Sequence, residues 1–517
     1  MTVHAQGYFE NAYRFGQSSP YGSVRSMGMG GVQMGTGADA SALGTNPASP
    51  GMLRHSEFQF SLMPTLTSTT TSFENGIVDA SRFQAPIGSF SIALNDLKDD
   101  IQPGDFRGGT FTLSYNRMAL FNQKNSWEGT SLLSPKPGDT LSNSLIDYWL
   151  ANVNKSGLFP SEILGRGSFG GATDDVIMAY RTYLLDVSQN RFISKIPLGD
   201  ILKQGYWNQS LSQGIWNAGY SANFKDKIYV GASLGYLTCD FSTDLQYGEQ
   251  WKTVVANPSD PSFAYLQRFK GFNYQITKQQ TQTFKAFTGN AGILYKVDDA
   301  IRLSAAIQFP SIGWLNETYK ARFDANYNGI PYWFNSSDPN DPNNYSLNKE
   351  DTTSLENVFS GKMTLPAKYR LGATYVIGKA GMFGIDLEYT DLSQTRLSEG
   401  DGNYSFSEEN SVIRSQYRST LNIRIGGELR FEDFRIRLGY AYYPTALKSN
   451  SNFINNIPSD AHYFSGGIGA RYETWYWDVA LVFGFWDSRF TYVPEIMKVA
   501  ETKAQLNQLR MGLGLNF

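Results

Sequence analysis

From His55 onward, apolar and polar side chains alternate along the chain in stretches of about ten residues, and fourteen such units can be laid out. The first sets Phe58, Phe60 and Leu62 against Gln59 and Ser61, and the second sets Phe90, Ile92 and Leu94 against Ser89, Ser91 and Ala93. A third opposes Phe111, Leu113 and Tyr115 to Thr112 and Ser114. Units four to nine fall near 215–224, 228–236, 283–295, 301–309, 369–377 and 383–389. The last five, near 421–431, 434–442, 462–472, 475–487 and 509–517, are the clearest. In the final unit Leu509, Met511, Leu513, Leu515 and Phe517 oppose Arg510, Gly512, Gly514 and Asn516. Period-two alternation predicts strands with one apolar and one polar face.

The connections alternate in length. Tight turns are predicted at 225–227, 298–300, 378–381, 432–433 and 473–474, and long segments at 121–213, 242–282, 311–366 and 392–416. Short turns at one end and long loops at the other are the habit of transmembrane barrels. The polar faces carry Arg424, Glu428, Arg430, Arg435 and Arg437, which a dry core would hold only at several kcal/mol per unpaired ion. The expected fold is therefore all-β: a fourteen-stranded antiparallel transmembrane β-barrel over 57–517, with long extracellular loops. A soluble β-sandwich is the alternative. Residues 144–153 and 174–187 read as short loop helices. Their Trp149, Tyr180 and Leu184 are candidate ligand contacts in an apolar groove, or else the two helices pack on each other as a lid. Residues 494–506 read as a third loop helix.

The N-terminal 1–56 break this pattern. Between Ser23 and Met52 the chain is rich in Gly, Ala, Ser and Met, too costly in backbone entropy for regular structure. It reads as a plug held inside the barrel, or as a loose arm. Its opening MTVHAQ has a Val3-x-Ala5 pair like the end of a signal peptide, so we expect an exported chain that begins within a precursor's cleavage region.

Composition narrows the class. Despite 15% aromatic residues, no apolar run of about 20 residues supports a membrane-spanning helix. A net charge of −3 offers no basic field for nucleic acid, and Cys239, the one cysteine, makes no internal disulfide. His4, His55 and His462 lack metal-ligand spacing, Gly28-x-Gly30 lacks a third glycine, and no Gly-Lys-Ser/Thr loop or Gly-x-Ser-x-Gly elbow occurs. Asp386 and Glu388 share a strand face, as an acid/base pair or as lumen-lining charges. We expect no enzyme, no cofactor and no metal, and a monomeric barrel.

The glycine-rich start, Asn46-Pro47-Ala48 with Gly51-Met52 after it, the run Leu365-Pro366-Ala367-Lys368-Tyr369-Arg370-Leu371-Gly372, and Arg437-Leu438-Gly439-Tyr440 leading to Tyr443-Pro444 resemble the FadL/TodX-like family. These are transporters of long-chain fatty acids and aromatic hydrocarbons in Gram-negative outer membranes. Segments 121–213 and 311–366 are longer and do not align. The resemblance implies a lumen blocked by the plug, ligand captured outside, and lateral release through a gap in the wall into outer-membrane lipid. It implies that Asn46, Pro47 and Ala48 anchor the plug, that Tyr8 and Phe9 lie near the ligand pocket, and that the strand ending at Phe517 engages the barrel-assembly machinery. Gly108 and Gly109 are candidates for the opening, or form an ordinary bulge at the rim. Some relatives in Bacteroidetes-type bacteria serve protein secretion as surface cargo-holding components, a second reading. A purely structural barrel or adhesin is a third.

Overall fold

The computed structural model describes the chain except for residues 1–8, 98–104, 133–143, 158, 166–171, 256–258, 260–262, 334–344, 355, 399, 401–404, 450–458 and 491–498. Fourteen strands form the wall: β1 (Glu57–Leu62), β2 (Ile87–Leu97), β3 (Phe106–Ser131), β4 (Ile201–Phe224), β5 (Ile228–Trp251), β6 (Asn273–Lys296), β7 (Ile301–Gln308), β8 (Lys368–Ile377), β9 (Gly381–Asp391), β10 (Ser419–Phe431), β11 (Phe434–Tyr443), β12 (Ala461–Arg471), β13 (Trp475–Phe490) and β14 (Ala500–Asn516). Each pairs antiparallel with the next. The ring closes where β1 meets β14, from Glu57 opposite Asn516 to Leu62 opposite Met511.

Alternation sorts the side chains. Leu234, Leu438 and Leu513 point outward and are 76%, 71% and 59% exposed, whereas Arg370, Arg424 and Arg437 point inward and are buried. An apolar exterior around a polar interior is the arrangement of a transmembrane barrel. Among the described residues no helix is long and apolar enough to span a membrane.

Much of what the sequence presents as long loops is strand. β3 has 26 residues and β4, β5 and β6 have 24 each. At ~3.3 Å per residue these reach about 80 Å, where a tilted crossing takes roughly 9–11 residues. Other wall strands break and resume along the same partner strand. Thr65–Phe73 continues β1 against β14, and Gly76–Gln84 precedes β2. Ser311–Trp333 continues β7 against β6, and Asn357–Leu365 precedes β8. The interruptions fall at Pro64, Pro86, Pro310 and Pro366, because proline has no N–H for the ladder. The extended segments lose the apolar outward face, as in TLTSTTTSF at Thr65–Phe73, so the strand persists where the hydropathy signal stops.

Two helices expected in the longest loop are present at Leu145–Lys155 and Ala172–Arg181. They pack into a hydrophobic core at the long-loop end, together with Trp127, Phe272, Tyr327 and Phe490. The helix expected at 494–506 is not what the described part shows. From Ala500 onward this stretch is β14, held by a full ladder with β13, so partner strands override local helix propensity.

Candidate functional site

Residues 9–53 of the N-terminal segment run through the barrel interior and are almost wholly buried. Helix α1 (Glu10–Gly16) buries Ala12 and Phe15, with the Phe15 ring 5.5 Å from Phe284. Its Arg14 pairs with Glu10 and sits over the Phe241 ring at 4.4 Å. The short helix α2 (Val24–Gly28) is capped by Ser23, whose hydroxyl donates to Asp39 Oδ2 at 2.6 Å. Beyond it the segment is bonded to the wall on several sides. Gln33 N and Met34 N donate to Asp386 Oδ2 at 2.8 and 3.0 Å. Arg302 Nη1 donates to Thr36 O at 2.7 Å, Asn116 Nδ2 to Ser41 O at 2.9 Å, and Gly30 N to Ser465 Oγ at 2.9 Å. Asp386 and Glu388, the pair on one strand face, are thus structural: Glu388 accepts from Arg370 Nε at 2.6 Å.

Asn46, Pro47 and Ala48 lie against β4, β5 and β6. Asn46 Nδ2 donates to Met34 O at 2.9 Å and Asn46 Oδ1 accepts from Ala48 N at 3.1 Å, which fixes a turn within the segment. Ser221 Oγ of β4 donates to Pro47 O at 2.5 Å. Contact with β5 needs glycine. A Cβ on Gly231 would sit 2.0 Å from Pro47 O, and across the barrel one on Gly439 would sit 2.0 Å from Gly30 N. Only backbone without side chains lets the two pass so closely.

Between α1 and the wall lies a cavity of about 150 Å³. Met63, Met118, Leu120, Leu211 and Phe241 supply apolar surface, and Arg14, Arg117 and Arg510 lie at its border. It abuts the interruption in the wall. The β2–β3 ladder ends at Ser89 opposite Asn116. Above that point Gly76–Gln84 pairs only with Thr65–Phe73, and β3 shifts register against β4 between Arg117 and Ala119. Ser19 Oγ donates to Met118 O, tying the N-terminal segment to β3 at this level.

The other residues singled out from sequence are distributed as follows. Tyr8 lies outside the described residues. Phe9 is half-buried beside α1, packed with the cluster that includes Met118 and Phe241. Gly108 and Gly109 sit low on β3, paired to Leu97 and Asp96 on one side and to Asn223 and Ala222 on the other, at a bulge beside Phe106. The ladder is closed there, so the wall interruption lies farther up the same strand. Trp149 is buried and stacked on Phe323 at 5.4 Å, Leu184 is buried, and Tyr180 meets Phe192 edge-on at 6.5 Å. These three pack within the long-loop core instead of lining an open groove. The reason is that β6 and Ser311–Trp333 extend far enough to cover the helices' apolar faces. Sequence reading missed Met63, Met118 and the interruption; the signal was present in Pro64 and Pro86, prolines in flanking strands. Among the described residues no group of His, Cys, Asp and Glu is arranged to hold a metal.

A closed fourteen-stranded barrel with its N-terminal segment folded into the lumen is a FadL/TodX-like fold. The chain is similar to the crystal structure of a Pseudomonas aeruginosa FadL homologue, with 12% identity, 97% of this chain and 100% of that chain covered, and a TM-score of 0.55. It is similar also to a TodX monoaromatic hydrocarbon channel mutant, with 13% identity, 96% and 99% covered, and a TM-score of 0.50. No protein-family model and no curated protein matches the sequence.

Proposed function

We propose that the protein is an outer-membrane channel of a Gram-negative cell that takes up hydrophobic small molecules and releases them sideways between β2 and β3, with residues 1–56 as the plug. The observation that carries this reading is the junction of the apolar lumen cavity with the end of the β2–β3 ladder. An apolar ligand gains by entering lipid rather than water, so an opening at that height suits its release. Cavities of about 150 Å³ hold a single aromatic ring. That size favours monoaromatic or short-chain ligands; a long-chain fatty acid would fit by part of its length. Asn46, Pro47 and Ala48 act as the plug's anchor to the wall, and Phe9 borders the ligand pocket. The strand ending at Phe517 is the element presented to the assembly machinery. No reaction is assigned.

The test is Met118→Trp, which fills the cavity beside the interruption. Uptake of labelled toluene and of labelled oleate into cells should fall at least tenfold while the heat-modifiable barrel band on gels stays normal. Unchanged uptake of both would refute the route.

The second reading, a surface component of a secretion system, is supported by one feature. Gly76–Gln84 exposes Ile77 and Phe83, apolar side chains on a strand that pairs on one side only, as a docking patch for another chain would. Native mass spectrometry of protein extracted in a gentle detergent separates the two: a bound apolar small molecule supports the channel, and a retained protein supports the surface component.

A further inference from the structure

The short-turn mouth of the barrel holds a second cavity, of about 400 Å³, on the opposite side of the plug from the apolar one. Its wall is basic. Arg25 and Arg54 come from the N-terminal segment, and Lys296, Arg302, Arg430, Arg435 and Arg471 from strand ends around the ring. Asp39, Glu57 and Glu428 are the carboxylates that face it. The excess is four positive charges in a chain whose net charge is −3.

Partnering does not remove that excess. Arg25 and Arg430 share Glu428, at 3.1 and 3.2 Å. Arg54 pairs with Asp226 at 3.0 Å, and Arg471 with Asp478 at 3.0 Å. Asp39 is occupied by Ser23 and by Ser41, whose N–H donates at 2.9 Å. Among the described residues Lys296, Arg302 and Arg435 form no ion pair. Arg435 donates only to backbone carbonyls of Glu432 and Phe434, and Lys296 lies 5.4 Å from the Tyr229 ring. Arg302 Nε and Arg471 Nη1 are buried with no hydrogen-bond partner. Buried unfilled donors on guanidinium forks are costly unless an acceptor meets them.

We propose that this cup binds a small soluble oxyanion of charge −2 or more, such as a phosphate, bridging plug and wall. Guanidinium forks match phosphate geometry bidentately, and several converge from two parts of the chain. The cup is lined by inward-facing side chains and opens along the barrel axis, so it is offered to water-borne anions and not to headgroups beside the wall. Because Arg25 and Arg54 belong to the segment and Lys296, Arg302 and Arg435 to the wall, bound anion stabilises the seated plug by mass action. The inference does not depend on what the channel carries, so uptake results leave it untouched.

Calorimetric titration of the full chain in neutral detergent at low salt, with inorganic pyrophosphate as the probe, tests it. Saturable binding is expected, weakened at least tenfold in Arg302→Gln/Arg435→Gln and unchanged in Lys379→Gln, an exposed turn lysine outside the cup. Lys296→Gln leaves the bonds of Arg302 and Arg435 in place and should also weaken binding. Hydrogen exchange at 36–54 should slow when pyrophosphate is added. Absence of saturable binding, equal affinity in every variant, or binding only to anionic phospholipid vesicles would overturn the proposal.

Discussion

Gly231→Ala offers a sharp test of how the N-terminal segment is held. The added methyl would lie 2.0 Å from Pro47 O, 2.3 Å from Pro47 C and 2.8 Å from Ala48 N, where ordinary contact begins at 3.4 Å. All three atoms are backbone, so no side chain can swing away, and Pro47 must retreat by about 1.4 Å. That retreat breaks the bond from Ser221 Oγ. Overpacking costs about 1–3 kcal/mol and the lost hydrogen bond about 0.5–1.5 kcal/mol, together about 1.5–4.5 kcal/mol against the seated state. The local opening constant should rise roughly 10- to 1,600-fold. The wall should be untouched, since Gly231 keeps its ladder to Ser221 and Gly292. Hydrogen exchange at 46–53 should therefore accelerate by that factor while exchange in β8–β12 stays as in the parent, and planar-bilayer recordings should show new conductance. Exchange and conductance equal to the parent would refute the claim that this close approach holds the segment.

Leu513→Arg places a charge on the outward face of β14 and should cost roughly 2–4 kcal/mol if it lies at the bilayer midplane, read as reduced barrel yield; normal yield would mean the faces are reversed. Asp386→Ala strips the acceptor from Gln33 N and Met34 N. It should cost about 1–3 kcal/mol per orphaned donor, seen as faster exchange at 33–34 without loss of the folded barrel. In the hairpin of Asp186–Ser188 and Arg191–Ile193, partial burial works to raise the Asp186 pKa. Bonds from Lys195, Tyr332 and the Val187 N–H outweigh it and hold the carboxyl below its ordinary 3.8. A depressed folded value means its stabilisation is present above pH 3.8 and is lost as pH falls through the folded value. Hairpin protection measured by exchange should be flat from pH 7 to 5 and fall only below about 4, with Lys195→Met making that fall smaller.

Fourteen wall strands and their facing were legible because lipid on one side and a polar lumen on the other impose strict alternation. Ile228, Val230 and Leu234 face out while Tyr229 faces in and is buried, as the period requires. The short turns were legible for the same reason, since each lies between two such runs. Legibility failed where lipid ends. At 277–282 the strand reads TKQQTQ, polar on both faces, yet it is paired throughout with β5. A water-exposed sheet needs no apolar stripe, so only partner strands reveal it. The composition of 23–52 argued against regular structure, yet short helical turns form at Val24–Gly28, Ala40–Gly44 and Ser49–Met52, and the segment's seat depends on pairs such as Gly30 with Gly439, hundreds of residues apart. The glycine pair at 108–109 lies within the closed part of the β3 ladder, below the point where the β2–β3 pairing ends. The prolines that interrupt the wall were visible, but their significance came from four of them falling between strand segments that share a partner strand.

Closure of β1 on β14 sets an order of events for the nascent molecule. The seam joining Glu57 to Asn516 forms only once both of its strands exist, and these lie more than 400 residues apart. Pairings of such separation are slow because loop-closure entropy precedes any reward. The glycine-floored seats for residues 30 and 47 lie on strands far round the ring, so neither is complete in a half-built sheet. The N-terminal segment, though synthesised before the wall strands, is therefore among the last parts to find its place. The interval before the seam zips is when this chain is most exposed to misassembly.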